Sequence, residues 1–299
     1  MKRDFGRLST ERRNPRTQRL DQQTVPEILR TLNQEDATIA AAVAAEHPRI
    51  ARAVGLLVDR VKKGGRILFV GAGTSGRLGV IEAAELPPTF GTPSRLAQAV
   101  MAGGPECVWA SKEGAEDDRD DGAAQLRIRA VRPEDAVVGI SASGVTPFVL
   151  GALDEAARKG AARILVSCNR RDVPRAAADV HIAVITGPEV ISGSTRLRAG
   201  TATKMVLNML TVATMVRLGK VYENLMVDLQ TRSDKLVSRS RRIVSTLGGV
   251  TETEAVRALK AAGGSAKVAI VMLRRDVSRE RAETLLQEND GMLRGAIEP

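Results

Sequence analysis

At 299 residues with 43% apolar side chains, the chain can bury a substantial core, enough for one α/β domain plus a smaller appendage, and it is too apolar to be disordered. The net charge of +10 invites a nucleic-acid reading, but the arginines are scattered and aromatics make up only 2%, too few stacking platforms for a single-strand binder, so no nucleic-acid partner is expected and the basic surface suits anionic small molecules. The sequence has no apolar run of about eighteen residues and no signal-peptide pattern, so the expectation is a cytoplasmic protein with no membrane partner.

In chain order, residues 1–22 are polar, basic and aperiodic, and read as an extended basic arm or a disordered tail. From Thr24, with Pro26 near a helix start, to Lys63 the spacing is helical: Ile28, Leu29 and Leu32 share one face, as do Ile50, Val54, Leu57, Val58 and Val61. Pro48 divides this stretch into two or three helices. Four apolar residues, Ile67 to Val70, then predict a strand buried on both faces, followed by a glycine-rich turn and a helix over roughly 75–86 that stops at Pro87-Pro88. Further strands are predicted at 95–100, 136–140, 163–167 and 180–185, with helices at about 147–159 and 199–218. The acidic segment from Glu113 to Asp121 follows, and helix spacing puts Glu113, Glu116 and Asp117 on one face. Past residue 248, Thr251 and Glu254 form a capping box. Residues 267–273 are β-branched enough for a strand, but a helix is preferred, giving a compact three-helix, UBA-like unit. The predicted fold is α/β: a parallel five-stranded doubly wound sheet, with N-terminal helices and that small C-terminal unit. The segments are an arm at 1–22, a sheet domain at 23–247 and a helical domain at 248–299.

The turn after the first strand, Gly71-Ala72-Gly73-Thr74-Ser75-Gly76, satisfies the bare G-x-G-x-x-G pattern. No Asp or Glu follows around positions 90–98 to hold a ribose, and no phosphate-loop lysine follows the turn. A strand, a hydroxyl-bearing loop and a helix N-terminus suit a single phosphate monoester better, with Arg77 adding a fixed charge. Ser141-Ala142-Ser143-Gly144-Val145-Thr146-Pro147 repeats the logic, with Thr146 as N-cap and Pro147 at the first helical position. Thr74, Ser75, Ser141, Ser143 and Thr146 are therefore the candidate phosphate ligands, gathered beyond the carboxyl ends of the strands. Glu85 is the candidate general acid, because a partly buried carboxylate at the negative end of a helix holds its proton more tightly; Glu82 lies one turn earlier. On the loop 187–196, Glu189 is placed either to bind sugar hydroxyls or as an ordinary solvated carboxylate. Cys107 and Cys168 are isolated, and His47 and His181 are the only histidines, so no metal and no cofactor is expected; His181 reads as packed.

Several ordered blocks carry a resemblance over almost the whole chain. These are Thr10–Pro15, Gly71–Arg77, Glu85–Phe90, Glu113–Asp117, Gly187–Arg196 with Ala199–Lys204, and Asn224–Asp228. Together they resemble the N-acetylmuramic acid 6-phosphate etherase family, whose core is a sugar isomerase (SIS) domain. The resemblance implies cleavage of N-acetylmuramate 6-phosphate to N-acetylglucosamine 6-phosphate and D-lactate, by elimination and then hydration. It implies Glu85 as proton donor and Glu116 as the second catalytic carboxylate, leaves the split of proton removal and delivery between them open, and favours a homodimer. The alternatives are a sugar-phosphate isomerase on the same fold, or a non-catalytic sugar-phosphate regulator like the similar glucokinase regulatory protein.

Overall fold

The computed structural model describes residues 6, 8–170, 173–229 and 234–298. They form two compact units, one made of the residues up to Ala83 with Arg95–Thr211, the other of Ala84–Ser94 with the chain from Val212 onward.

The first unit opens with three 3-10 turns at Ser9–Glu11, Pro15–Thr17 and Leu20–Gln22, so the arm is folded where an extended segment was expected. Its polar side chains explain why: Thr10, Asn14 and Thr17 are buried and hydrogen-bonded to the domain, anchors that hydropathy does not reveal. Helices α1 (Val25–Asp36), α2 (Ile39–Ala44) and α3 (His47–Lys62) follow, with Pro48 in the first turn of α3. Five strands, β1 (Ile67–Gly71), β2 (Ala97–Met101), β3 (Ala136–Ile140), β4 (Ala162–Ser167) and β5 (Val180–Ala183), pair in the order β2-β1-β3-β4-β5, every pair parallel.

Between and after the strands run α4 (Gly73–Phe90), α5 (Arg119–Ile128), α6 (Pro147–Arg158) and α7 (Arg198–Arg217). Alternation along β1 shows how both sheet faces are covered. Leu68 and Val70 join a cluster with Phe148, Val149, Ala152 and Leu153 of α6. Phe69 points to the other face, toward α4, where a Cβ on Gly79 would come within 2.9 Å of its own Cβ. The sheet is therefore doubly wound, as its apolar runs predict. Each fully buried side chain of this kind contributes about 1.5–3 kcal/mol relative to exposure.

Two local expectations fail. Helix α4 continues through Pro87 and Pro88 to Phe90. Each proline removes one donor and strains the preceding turn, but the actual stop is Gly91, at φ +65°, whose N–H closes on the Pro87 carbonyl at 3.0 Å. The first part of the acidic segment is not an α-helix either: Gly114 at φ +75° breaks it, leaving a 3-10 turn at Ala115–Asp117 before Asp118 caps α5, whose first turn holds Asp120 and Asp121.

The second unit holds a short hairpin, β6 (Val221–Tyr222) and β7 (Leu225–Met226), and helices α8 (Asp234–Gly248), α9 (Glu252–Ala261), α10 (Ala266–Arg275), α11 (Arg279–Glu288) and α12 (Leu293–Ile297). Val244, Ala269, Ile270, Val271 and Ala282 are fully buried in its core. The capping box is formed, with the Thr251 N–H donating to Glu254 Oε2 at 2.8 Å and the Glu254 N–H to Thr251 Oγ1 at 3.3 Å. Ser265 caps α10, so the β-branched run at 267–273 is helical as preferred, because a capped N-terminus and apolar neighbours outweigh its strand propensity. The expected helices after 248 are present, followed by the short α12.

Candidate active site

The strand order places a topological switch between β1 and β3, where the chain leaves toward opposite edges of the sheet. A cavity of about 480 Å³ lies there, within the range of small-molecule sites. Gly73, Thr74 and Ser75 line it at the start of α4, Ser143 and Thr146 at the start of α6, and Ala199, Gly200 and Thr203 at the start of α7. Three helices of 18, 12 and 20 residues thus open onto one space. The N-termini of α4 and α6 turn their positive dipole ends to it and favour an anion, and among the described residues no Lys or Arg lines this cavity.

The glycines of the first loop act through packing. A Cβ on Gly71 would lie 2.6 Å from Gly76 N, and one on Gly76 would lie 2.6 Å from Gly71 O and 2.3 Å from Met101 Sδ. The glycine pattern reports this tight strand–turn–helix junction and not a dinucleotide. Gly76→Ala is expected to push β1 and α4 apart at a cost of about 1–3 kcal/mol, read as a lowered melting temperature.

Of the phosphate candidates, Thr74, Ser75, Ser143 and Thr146 line the cavity. Ser141 is buried behind it, its Oγ 2.7 Å from Thr146 Oγ1 and 3.2 Å from Ser143 Oγ and accepting the Gly144 N–H at 3.0 Å, so it holds the loop's shape instead of facing the space. Thr146 occupies the N-cap position as predicted, but its hydroxyl is turned to Ser141 and does not cap the helix. Arg77 does not line the cavity; its Nε and Nη2 donate to the carbonyls of Val108 and Cys107 at 2.8 and 2.9 Å.

Glu189 is fully buried and does not line the cavity. Both oxygens accept backbone N–H groups, of Arg198 and Ala199, each at 2.9 Å. It caps the N-terminus of α7 and is spent there, in place of the sugar contact expected of it. Burial pushes its carboxyl above the ordinary value, against the pull of the two amides and Arg198.

Glu116 and Asp117 line the cavity from the 3-10 turn, and Glu116 is exposed. Glu85 is not among the lining residues; it is exposed, with five residues of α4 beyond it (90 − 85), so the burial and the helix end on which the sequence argument leaned are absent. Glu82, one turn earlier, is buried and paired with Lys204 Nζ, and it accepts from Thr211 Oγ1 at 2.8 Å. That ion pair ties α4 to α7.

The folded N-terminal segment reaches the cavity with Leu8 and Glu11. Asn169 Oδ1 accepts from Ser9 N at 2.9 Å and Ser9 Oγ at 2.6 Å, and Asn169 Nδ2 donates to Thr10 Oγ1 at 3.2 Å. Further along, Thr17 Oγ1 donates to the Val190 carbonyl at 2.9 Å.

A family model described as glucokinase regulatory protein N-terminal SIS domain matches residues 49–157, and one described as SIS domain matches 119–213. The chain is 53% identical over 270 residues to N-acetylmuramic acid 6-phosphate etherase of Symbiobacterium thermophilum, covering 90% of each protein. It is 48% identical over 294 residues to the etherase of Mycolicibacterium smegmatis, covering 98% of this chain and 99% of that one. The chain belongs to the N-acetylmuramic acid 6-phosphate etherase family. The fold is shared with a phosphoheptose isomerase from Francisella tularensis (TM-score 0.51, 17% identity), over 65% of this chain and all of that one.

Beside the etherase-family blocks, the two cysteines and His181 take no part in the cavity's polar wall. Cys168 is buried and its thiol is pushed up to about 12 by that burial, which leaves it inert. His181 is half-buried, its Nε2 2.8 Å from Ser167 Oγ, and burial lowers its proton affinity. Among the described residues no group of three His, Cys, Asp or Glu is placed to hold a metal ion, and no helix is long and apolar enough to cross a membrane. Sequence reasoning missed Glu11, Gly193, Thr195 and Thr203 as lining residues. Their signal was available only in the family blocks Thr10–Pro15 and Gly187–Lys204, since nothing local marks them.

Proposed function

We propose that the chain cleaves the D-lactyl ether of N-acetylmuramate 6-phosphate with water, giving N-acetylglucosamine 6-phosphate and D-lactate. The observation that carries this is the 53% identity to an etherase over nine-tenths of both proteins, joined to a cavity whose polar wall suits a phosphosugar. The phosphate is assigned to the loops bearing Thr74, Ser75, Ser143 and Thr146, where helix N-termini supply the positive potential.

The chemistry runs through the ring-opened aldehyde, which acidifies the C2 proton. One carboxylate removes that proton, and lactate leaves C3 as its ether oxygen is protonated, forming a C2–C3 double bond conjugated with the aldehyde. Water then adds at C3, a proton returns to C2, and the ring closes. Glu116 and Glu85 are assigned as the two carboxylates. A homodimer in which a second copy supplies Glu85 is part of this reading, and the exposed apolar side chains Val25 and Leu29 on α1 offer surface for such a partner.

The test is release of D-lactate from N-acetylmuramate 6-phosphate, in amounts equal to the N-acetylglucosamine 6-phosphate formed. A folded protein that binds the sugar phosphate and releases no lactate overturns the reading.

A further inference from the structure

Glu11 has no part in the mechanism above, yet it reaches the site as an exposed carboxylate that no contact of the fold uses. It lines the cavity, and among the described residues its carboxylate receives no hydrogen bond and enters no ion pair. The residues around it are firmly held. Ser9 and Thr10 are bonded to Asn169, Asn14 and Arg16 to the buried Glu35, and Thr17 to the Val190 carbonyl. An anchored segment that leaves one carboxylate unpaired at a cavity presents that carboxylate to a ligand.

Its surroundings indicate which part of the ligand. Glu11 Oε2 stands against Gly193, 3.2 Å from where a Cβ would be, and Gly193 lines the same cavity at φ +75°. Seven residues on, a Cβ on Gly200 would lie 3.8 Å from Thr74 Cγ2 and 3.5 Å from the Thr195 carbonyl oxygen. The turn 193–200 therefore spans from the carboxylate to the hydroxyl loop of α4. A phosphate is drawn to the helix N-termini and repelled by a carboxylate, so the group beside Glu11 must be an uncharged donor. A carboxylate is acceptor-only with room for several hydrogen bonds, which matches sugar hydroxyls.

The geometry points to Glu11 as a substrate-binding residue that accepts hydrogen bonds from hydroxyl groups of the phosphosugar, with residues 8–17 as the strap that holds it in place. This rests on the phosphosugar reading of the cavity given above. Because Glu11 makes no bond that the fold needs, Glu11→Ala is expected to fold normally.

The experiment measures lactate release and its competitive inhibition by inorganic phosphate for the full-length wild type, Glu11→Ala and Glu11→Gln. Glu11→Ala is expected to raise KM for N-acetylmuramate 6-phosphate about 10-fold or more. Inorganic phosphate should inhibit it as well as it does the wild type, or better, since a repelling charge is gone. Glu11→Gln, which keeps one acceptor oxygen, should recover part of the loss. An unchanged kcat/KM in Glu11→Ala overturns the proposal. So does an equal weakening of sugar-phosphate and inorganic-phosphate binding with a lowered melting temperature, because the residue is then structural. A wild type that releases no lactate defeats the functional reading instead, and the binding of N-acetylglucosamine 6-phosphate to wild type and Glu11→Ala then decides the role of Glu11 by itself.

Discussion

Glu116→Gln and Glu85→Gln are each expected to fold as the wild type and to release D-lactate about 10²–10⁴-fold more slowly, the range set by removing a positioned acid or base. Both side chains are exposed, so replacing a carboxylate by an amide of the same shape costs little stability. The amide keeps the hydrogen-bonding outline and cannot take up or deliver a proton. The two variants also separate the roles that neither sequence nor geometry divides. In heavy water, the variant that lacks the C2 base should fail to exchange the C2 proton of N-acetylglucosamine 6-phosphate. The variant that lacks only the acid for the departing lactate should still exchange it. Wild-type lactate release from Glu85→Gln would remove Glu85 from the mechanism and, with it, the argument that a second copy completes the site. Mixing the two inactive variants adds a check on that argument: subunit exchange should restore one competent site in a mixed dimer, and no recovery would count against shared sites.

How far the sequence alone reaches can be seen from particular residues. The five strands are legible because each is a short apolar run, and β1 is buried along its whole length. The position of the cavity follows from alternation of strands and helices, which puts both hydroxyl loops at one sheet edge. Local chemistry then overreaches. Ser141 looks identical to Ser143 in sequence, but one step of the turn buries its hydroxyl against Thr146. Glu189 looks like a loop carboxylate, and only the docking of α7 gives it two amides to cap. Arg77 follows the phosphate loop directly, yet the helix turns it away to the carbonyls of Cys107 and Val108. Glu11 fails in the opposite direction: it sits in a basic, aperiodic stretch, and the bonds of its neighbours Ser9 and Thr10 to Asn169, roughly 160 positions away, bring it to the cavity. Hydropathy and spacing encode short-range order, whereas Arg77 and the segment of Glu11 are placed by bonds across 30 and 160 positions, and Ser141 and Glu189 by how their own loops close in three dimensions.

Glu35→Gln should destabilise the first unit by about 3–5 kcal/mol, the cost of leaving a buried charge without its partner. Glu35 is 4% exposed and gathers groups from two distant parts of the chain. Arg16 pairs with it through Nε and through Nη2 at 2.8 Å, Asn14 Nδ2 donates to it at 3.0 Å, and Arg198 Nη1 stands 3.1 Å away. Arg198 is itself buried, its other contacts being Pro188 O at 2.8 Å and Thr38 Oγ1 at 2.7 Å, and its Nε has no partner among the described residues. Removing the Glu35 charge leaves that guanidinium desolvated and without its ion-pair partner. Because Arg198 begins α7 and Arg16 belongs to the strap, the same change should loosen two walls of the cavity and raise KM as well as lower stability. The pH dependence gives an independent check. The hydrogen bond from Arg16 holds the Glu35 carboxyl below its ordinary value against the opposing effect of burial. The folded protein therefore binds this proton less readily than the unfolded chain, and the stabilisation is complete above about pH 4.3 and lost as the pH falls through the lower folded value. Urea unfolding should show the wild type and Glu35→Gln far apart at pH 7 and converging in acid. A constant gap across that range would mean that the lost stability comes from shape and not from charge.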